Sequence, residues 1–185
     1  MNNSMTLSRM TVKAQTLAIV AAILASVALP QIFHAVGAVS GLGPALGQTF
    51  LPMHIPVLLV GLLAGPVAGL LAGAISPLIS FAISGMPAVL MLPFITLELA
   101  GYGFVAGMLC RTKLPVFAKL ILAQIAGRAF RAAAVLIAVF AFGSQTISFS
   151  SILDMVIAGL PGILLQWSMI PLLIFWVDNR SNNNA

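Results

Sequence analysis

Ionisable side chains are scarce in this chain, and those that matter most lie inside apolar sequence: Glu98 in ITLELAGYG, then Arg128 and Arg131 in AGRAFRAAAV. A charge at bilayer depth is costly unless it is paired or hydrated, so each such group calls for a partner or a ligand. Gln124, Arg128 and Arg131 recur at helical spacing and form one polar stripe. Phe94, Glu98 and Tyr102 share a face by the same rule. If these faces meet, Glu98 and Arg128 pair at similar depth. Arg131, one turn nearer the outside, then finds a second carboxylate in Asp154. The product is a cavity with polar walls and aromatic sides. Two roles fit it: ligand contact, or permanent ion pairs that hold helices together.

His54 stands between two prolines in LPMHIP, at the mouth of another apolar run. Pro52 and Pro56 both suit the opening of a helix, where a missing N–H is tolerated, so the imidazole sits at a membrane interface. It is either an interfacial polar anchor or a ligand contact at the cavity entrance. His34, at the outer end of the first apolar segment, has the same two readings.

Other chemistry finds no footing. There is no His-x-x-x-His pair, Gly-x-Ser-x-Gly elbow, Asp-rich metal motif or phosphate-binding loop, so no catalytic group, metal or cofactor is expected. The single Cys110 excludes an internal disulfide and a thiolate metal site.

The elements that position these residues follow from composition. Of 185 residues 61% are hydrophobic and 6% charged, and the mean hydropathy is +1.16. Soluble domains are about half apolar and a quarter charged, so this is an all-α integral membrane protein. Breaks at Pro, Gly and charge give a single transmembrane domain with spans near 12–33, 52–64, 66–83, 87–110, 115–142 and 151–177. Gly65-Pro66 is either a tight turn between two helices or a kink within one. The first stretch could be read as a signal peptide, with Ser26-Val27-Ala28 as its cleavage site, but its apolar run is too long for one.

Basic residues set the orientation. Arg9 and Lys13 precede the first span, Arg111 and Lys113 follow the fourth, and Arg180 follows the sixth. The intervening loops near 31–51, 84–87 and 143–150 contain neither Lys nor Arg. Both termini are therefore expected on the cytoplasmic side. The formal charge of +5 is spread singly between spans and forms no basic face, which argues against nucleic acid as a partner. Gly61, Gly65, Gly69 and Gly73 recur every fourth residue, and Ala14, Ala18 and Ala22 form a similar seam, with Ala21 and Ala25 one step aside. Such seams bring helices into close contact, either within the molecule or against another membrane protein.

Three stretches, LPMHIPVLLVGLLAGPVAGLLAGAISPLIS, GMPAVLMLPFITLELAGYGFVAGML and AGRAFRAAAV, together with size and span count, carry a resemblance to the S components of energy-coupling factor transporters. The resemblance implies a six-helix bundle in a bacterial plasma membrane. It also implies capture of a water-soluble vitamin from outside, and a complex with a transmembrane coupling protein and two cytosolic ABC ATPases. Carried over by position, Arg128 and Glu98 become the first ligand contacts, with Arg131, Asp154 and Tyr102 behind them and His54 at the entrance. Ala14, Ala18 and Ala22 resemble the family's docking face. Pantothenate-, pyridoxine-, folate-, niacin- and cobalamin-type substrates all remain open. A structural or assembly protein and a stand-alone facilitator are the competing classes.

Overall fold

The computed structural model describes residues 11–43, 45–140 and 156–183. Thr11 caps the first helix, α1 (Val12–Ser40), its hydroxyl accepting from the Ala14 backbone N–H. The expected end near Phe33 is too early. Pro30 is carried inside the helix, as membrane helices allow, and the chain stops only at Gly41, whose φ of 75° is a left-handed cap. His34 is therefore a helical residue. A short α2 (Ala45–Phe50) follows, in a stretch read from sequence as loop, and leads into α3 (His54–Ala64).

The Gly65-Pro66 ambiguity resolves into a turn. Gly65 takes φ 96°, which an L side chain rarely adopts, and Pro66 opens α4 (Pro66–Ser84) where its missing N–H goes unused. Gly61, four residues before the turn, and Gly69, four residues after it, both abut Gly103 of α5 (Leu92–Leu109), while Gly107 abuts Pro66. Contacts symmetric about Gly65 mean that α3 and α4 run antiparallel along the same face of α5. A Cβ on Gly69 would overlap the Gly103 backbone, and one on Gly73 would overlap the Leu99 carbonyl. The fourfold glycine repeat is thus spent on packing inside the chain.

The fourth span also starts later than expected. Residues after Pro87 form turns, with the Met91 N–H donating to the Ala88 carbonyl at 2.8 Å, and Pro93 sits in the first turn of α5. Glu98 lies six residues beyond Leu92, roughly 9 Å along the axis rather than the roughly 16 Å that a helix starting at Pro87 would give. Next come α6 (Val116–Phe140) and α7 (Leu160–Asn183). Gly127 lets α6 close on α5, since a Cβ there would meet the Tyr102 ring and lie 2.8 Å from the Glu98 carbonyl oxygen. This close approach delivers Arg128 and Arg131 to Glu98.

The main core joins α3, α5, α6 and α7 through Leu58, Leu62, Tyr102, Leu120 and Ile170. A second cluster joins α1 to α3 and α4 through Ala22, Val60, Ala68 and Ala72. The seam of Ala14, Ala18 and Ala22 accordingly turns inward: Ala18 and Ala22 pack on the hairpin, and the neighbouring Gln15 amide donates to the Ala64 carbonyl at 2.8 Å. Of the alternative register, Ala21 is exposed and Ala25 half-buried.

Six helical stretches, counting Ala45–Ala64 as one, are long and apolar enough to cross a membrane. Their outward faces carry large apolar side chains, among them Leu17 at 70% and Leu164 at 61% exposure, as lipid contact requires. At the hairpin end Lys119 reaches back to donate to the Cys110 carbonyl at 2.9 Å, with Arg111 and Lys113 exposed beside it in the chain and Lys13, two residues from the Gln15 that bonds Ala64, exposed on α1. At the opposite end Gln31 donates to Ser84 Oγ at 3.0 Å, tying α1 to α4.

Candidate functional site

Glu98 is 1% exposed and is the focus of a charge cluster between α5 and α6. Its Oε1 accepts from the Tyr102 hydroxyl at 3.0 Å, one turn along the same helix. Its Oε2 accepts a short hydrogen bond from Arg131 Nη1. Arg128 Nε lies 3.2 Å from Oε1, a charge contact that lacks hydrogen-bond alignment. Both arginines thus converge on one carboxylate. Asp154, the expected partner of Arg131, lies outside the described residues.

The cluster borders a cavity of about 530 Å³ at the end of the bundle away from the hairpin turn. That volume falls in the ordinary range for small-molecule sites, roughly 300–1,000 Å³. Glu98, Arg128 and Arg131 line one side. His34 of α1, Gln48 of α2 and His54 of α3 supply further polar groups, and Met53, Met91, Ile95 and Leu99 supply apolar wall. His54 is 6% exposed, deeper than an interfacial anchor would be. Its ring tilts against Tyr102 with centroids 5.1 Å apart, and neither ring nitrogen makes a hydrogen bond. The Leu51 carbonyl nearby accepts from His54's own backbone N–H at 3.1 Å and keeps a second lone pair. Arg128 Nη2 is likewise buried without a hydrogen-bond partner.

The six site residues expected from sequence therefore separate. Glu98, Arg128, Arg131 and His54 line the cavity. Tyr102 stands behind it, holding Glu98 and backing the His54 ring. Asp154 is undescribed. The polar stripe on α6 also divides, because Gln124 turns to α7, donating to Gln166 Oε1 and accepting from Trp167 Nε1, each at 2.8 Å. Gln48, Ser80 and Met86 escaped the sequence reading although they line the cavity. Gln48 and Met86 lie in segments without charge or polar period, whereas Ser76, Ser80 and Ser84 recur every fourth residue, a polar face that could have pointed to Ser80. Among the described residues no group of His, Cys, Asp or Glu is arranged to hold a metal ion.

A family model described as "ECF transporter, substrate-specific component" matches residues 15–177. No curated protein and no solved structure matches the chain.

Proposed function

Since this chain belongs to the family of ECF transporter substrate-specific components, we propose that it captures a vitamin-like micronutrient outside the cell and delivers it to an ATP-driven module. That module comprises a transmembrane coupling protein and two cytosolic ABC ATPases. The observation that carries the reading is the cavity of about 530 Å³ whose wall includes buried ionic groups from α5 and α6 and the unpaired imidazole of α3. Glue alone needs no void. Ligand capture needs one, with a few polar groups set among apolar surface.

Orientation supports the same direction of travel. The basic residues Lys13, Arg111 and Lys113 gather at the hairpin end, which the positive-inside rule assigns to the cytoplasm of a bacterial plasma membrane. The cavity then faces outward. Within the cluster Glu98, Arg128, Arg131 and His54 contact ligand, and Tyr102 is a positioning residue for Glu98. The sequence carries no phosphate-binding loop, so the energy is assigned to the partners. With Ala18 and Ala22 engaged inside the molecule, the surface of α1 offered to a coupling protein runs through Leu17, Ala21, Leu24 and Ala28.

The test is direct. Purified alone, the chain should bind one member of a vitamin panel at sub-micromolar concentration by calorimetry or thermal shift. In proteoliposomes it should import that compound only with the coupling protein, the ATPases and ATP. Uptake by the chain alone identifies a facilitator. Absence of binding across the panel, with folding lost in Arg128→Ala, identifies a structural protein.

A further inference from the structure

We infer that the buried end of the ligand is a monoanion, a carboxylate, gripped by Arg128 and His54, and that the rest of the molecule is apolar or aromatic. This deepens the capture reading and rests on it.

Donor count leads to this chemistry. Two guanidinium groups meet the Glu98 carboxylate at the cavity wall. Glu98 is already engaged at both oxygens, by Tyr102 and Arg128 at Oε1 and by Arg131 at Oε2. It therefore orients the arginines. A cationic ligand would enter beside two guanidinium groups.

Uncommitted donors line the same cavity. Arg128 Nη2 and the His54 ring are buried, line the cavity and make no hydrogen bond. Groups so placed cost stability until something accepts from them. A guanidinium edge and an imidazole N–H together offer what the two oxygens of a carboxylate accept. Beyond the polar patch, Met53, Met91, Ile95 and Leu99 present apolar wall, which an apolar body covers.

Matched acids and neutral isosteres test this with the full chain in lipid nanodiscs. The probes are nicotinate against nicotinamide and pantothenate against pantothenol, with thiamine as a cation and pyridoxal phosphate as a dianion. Ligand retained through purification is identified by mass spectrometry in parallel. The acid of one pair, or a retained carboxylate against its amide, should bind about 100-fold more tightly than its neutral counterpart. Arg128→Gln should collapse that ratio toward unity, and Arg128→Lys should retain part of it. The ratio in the unmodified chain decides the matter even if a variant misfolds. A neutral compound, thiamine or pyridoxal phosphate bound in preference overturns the carboxylate assignment and leaves capture standing. If no probe binds and no small molecule is retained, capture itself falls, and this inference with it.

Discussion

Replacing Glu98 with Gln keeps the shape of the side chain and removes the charge on which two arginines converge. Breaking a buried ion pair by neutralising one partner costs about 3–5 kcal/mol, because the remaining charge is stranded. The two arginines should not share this loss equally. Arg131 makes a true hydrogen bond to Oε2 and its side chain is 9% exposed, whereas Arg128 is 17% exposed, borders the cavity and lacks hydrogen-bond alignment. Double-mutant cycles with Arg131→Gln and Arg128→Gln should therefore give coupling of about 2 kcal/mol for the first pair and about 1 kcal/mol or less for the second. Reversible unfolding in mixed micelles, followed by the fluorescence of Trp167 and Trp176, supplies the free energies. If Glu98→Gln and Arg131→Gln add to within about 0.5 kcal/mol, or Arg128 couples more strongly than Arg131, the account of the cluster is refuted.

Four further perturbations have defined outcomes. His54→Phe keeps the ring packed on Tyr102 and removes two unpaired nitrogens, so the ligand-free protein should gain about 1 kcal/mol in unfolding while ligand affinity falls at least about tenfold; unchanged affinity would remove His54 from the site. Gly69→Ala should cost about 1–3 kcal/mol by pushing α4 off α5, and equal stability in thermal denaturation would contradict the close approach to Gly103. Trp167→Phe should cost about 0.6–1.7 kcal/mol through its lost bond to Gln124, with ligand affinity unaltered in calorimetry, since neither residue lines the cavity. In a Cys110→Ala background, an impermeant maleimide applied to intact cells should label Leu90→Cys and spare Leu114→Cys, and the reverse pattern would invert the assigned orientation.

The intramembrane charges were legible because they are rare, and their helical spacing named the faces that carry them. Pairing was harder to read. Periodicity placed Gln124 on the stripe with Arg128 and Arg131, yet a stripe spanning two turns faces two neighbours, α5 at one level and α7 at another. The glycine repeat was equally visible and equally incomplete. A period of four describes one helix face, and only a reversal at Gly65 brings Gly61 and Gly69 to the same residue of α5. Prolines mark helix ends unevenly. Pro30 lies inside α1, as the span near 12–33 already required, while Pro87 lies in a turn and Pro93 in the first turn of α5. The contribution of α1 and α2 to the cavity depends on contacts between distant segments, which local pattern does not encode.

The distribution of unpaired groups separates structural polarity from ligand-facing polarity. Gln124, Trp167, Lys119, Tyr102 and Arg131 each satisfy a partner within the chain, as a low-dielectric interior demands. Of the buried atoms left over, the hydroxyls of Ser26 and Thr96 sit on helices, where small rotations bring them to a carbonyl one turn back. Gln166 has already engaged its oxygen, leaving half an amide unpaired. The His54 imidazole and the Arg128 guanidinium are ionisable groups left with unpaired nitrogens, and both line the cavity. A chain selected for stability alone would replace them, because an apolar residue of similar volume removes the penalty. Their retention at a void, rather than within the packed core, is what a binding site requires: donors kept unsatisfied by the protein so that an incoming acceptor gains what the empty site lacks.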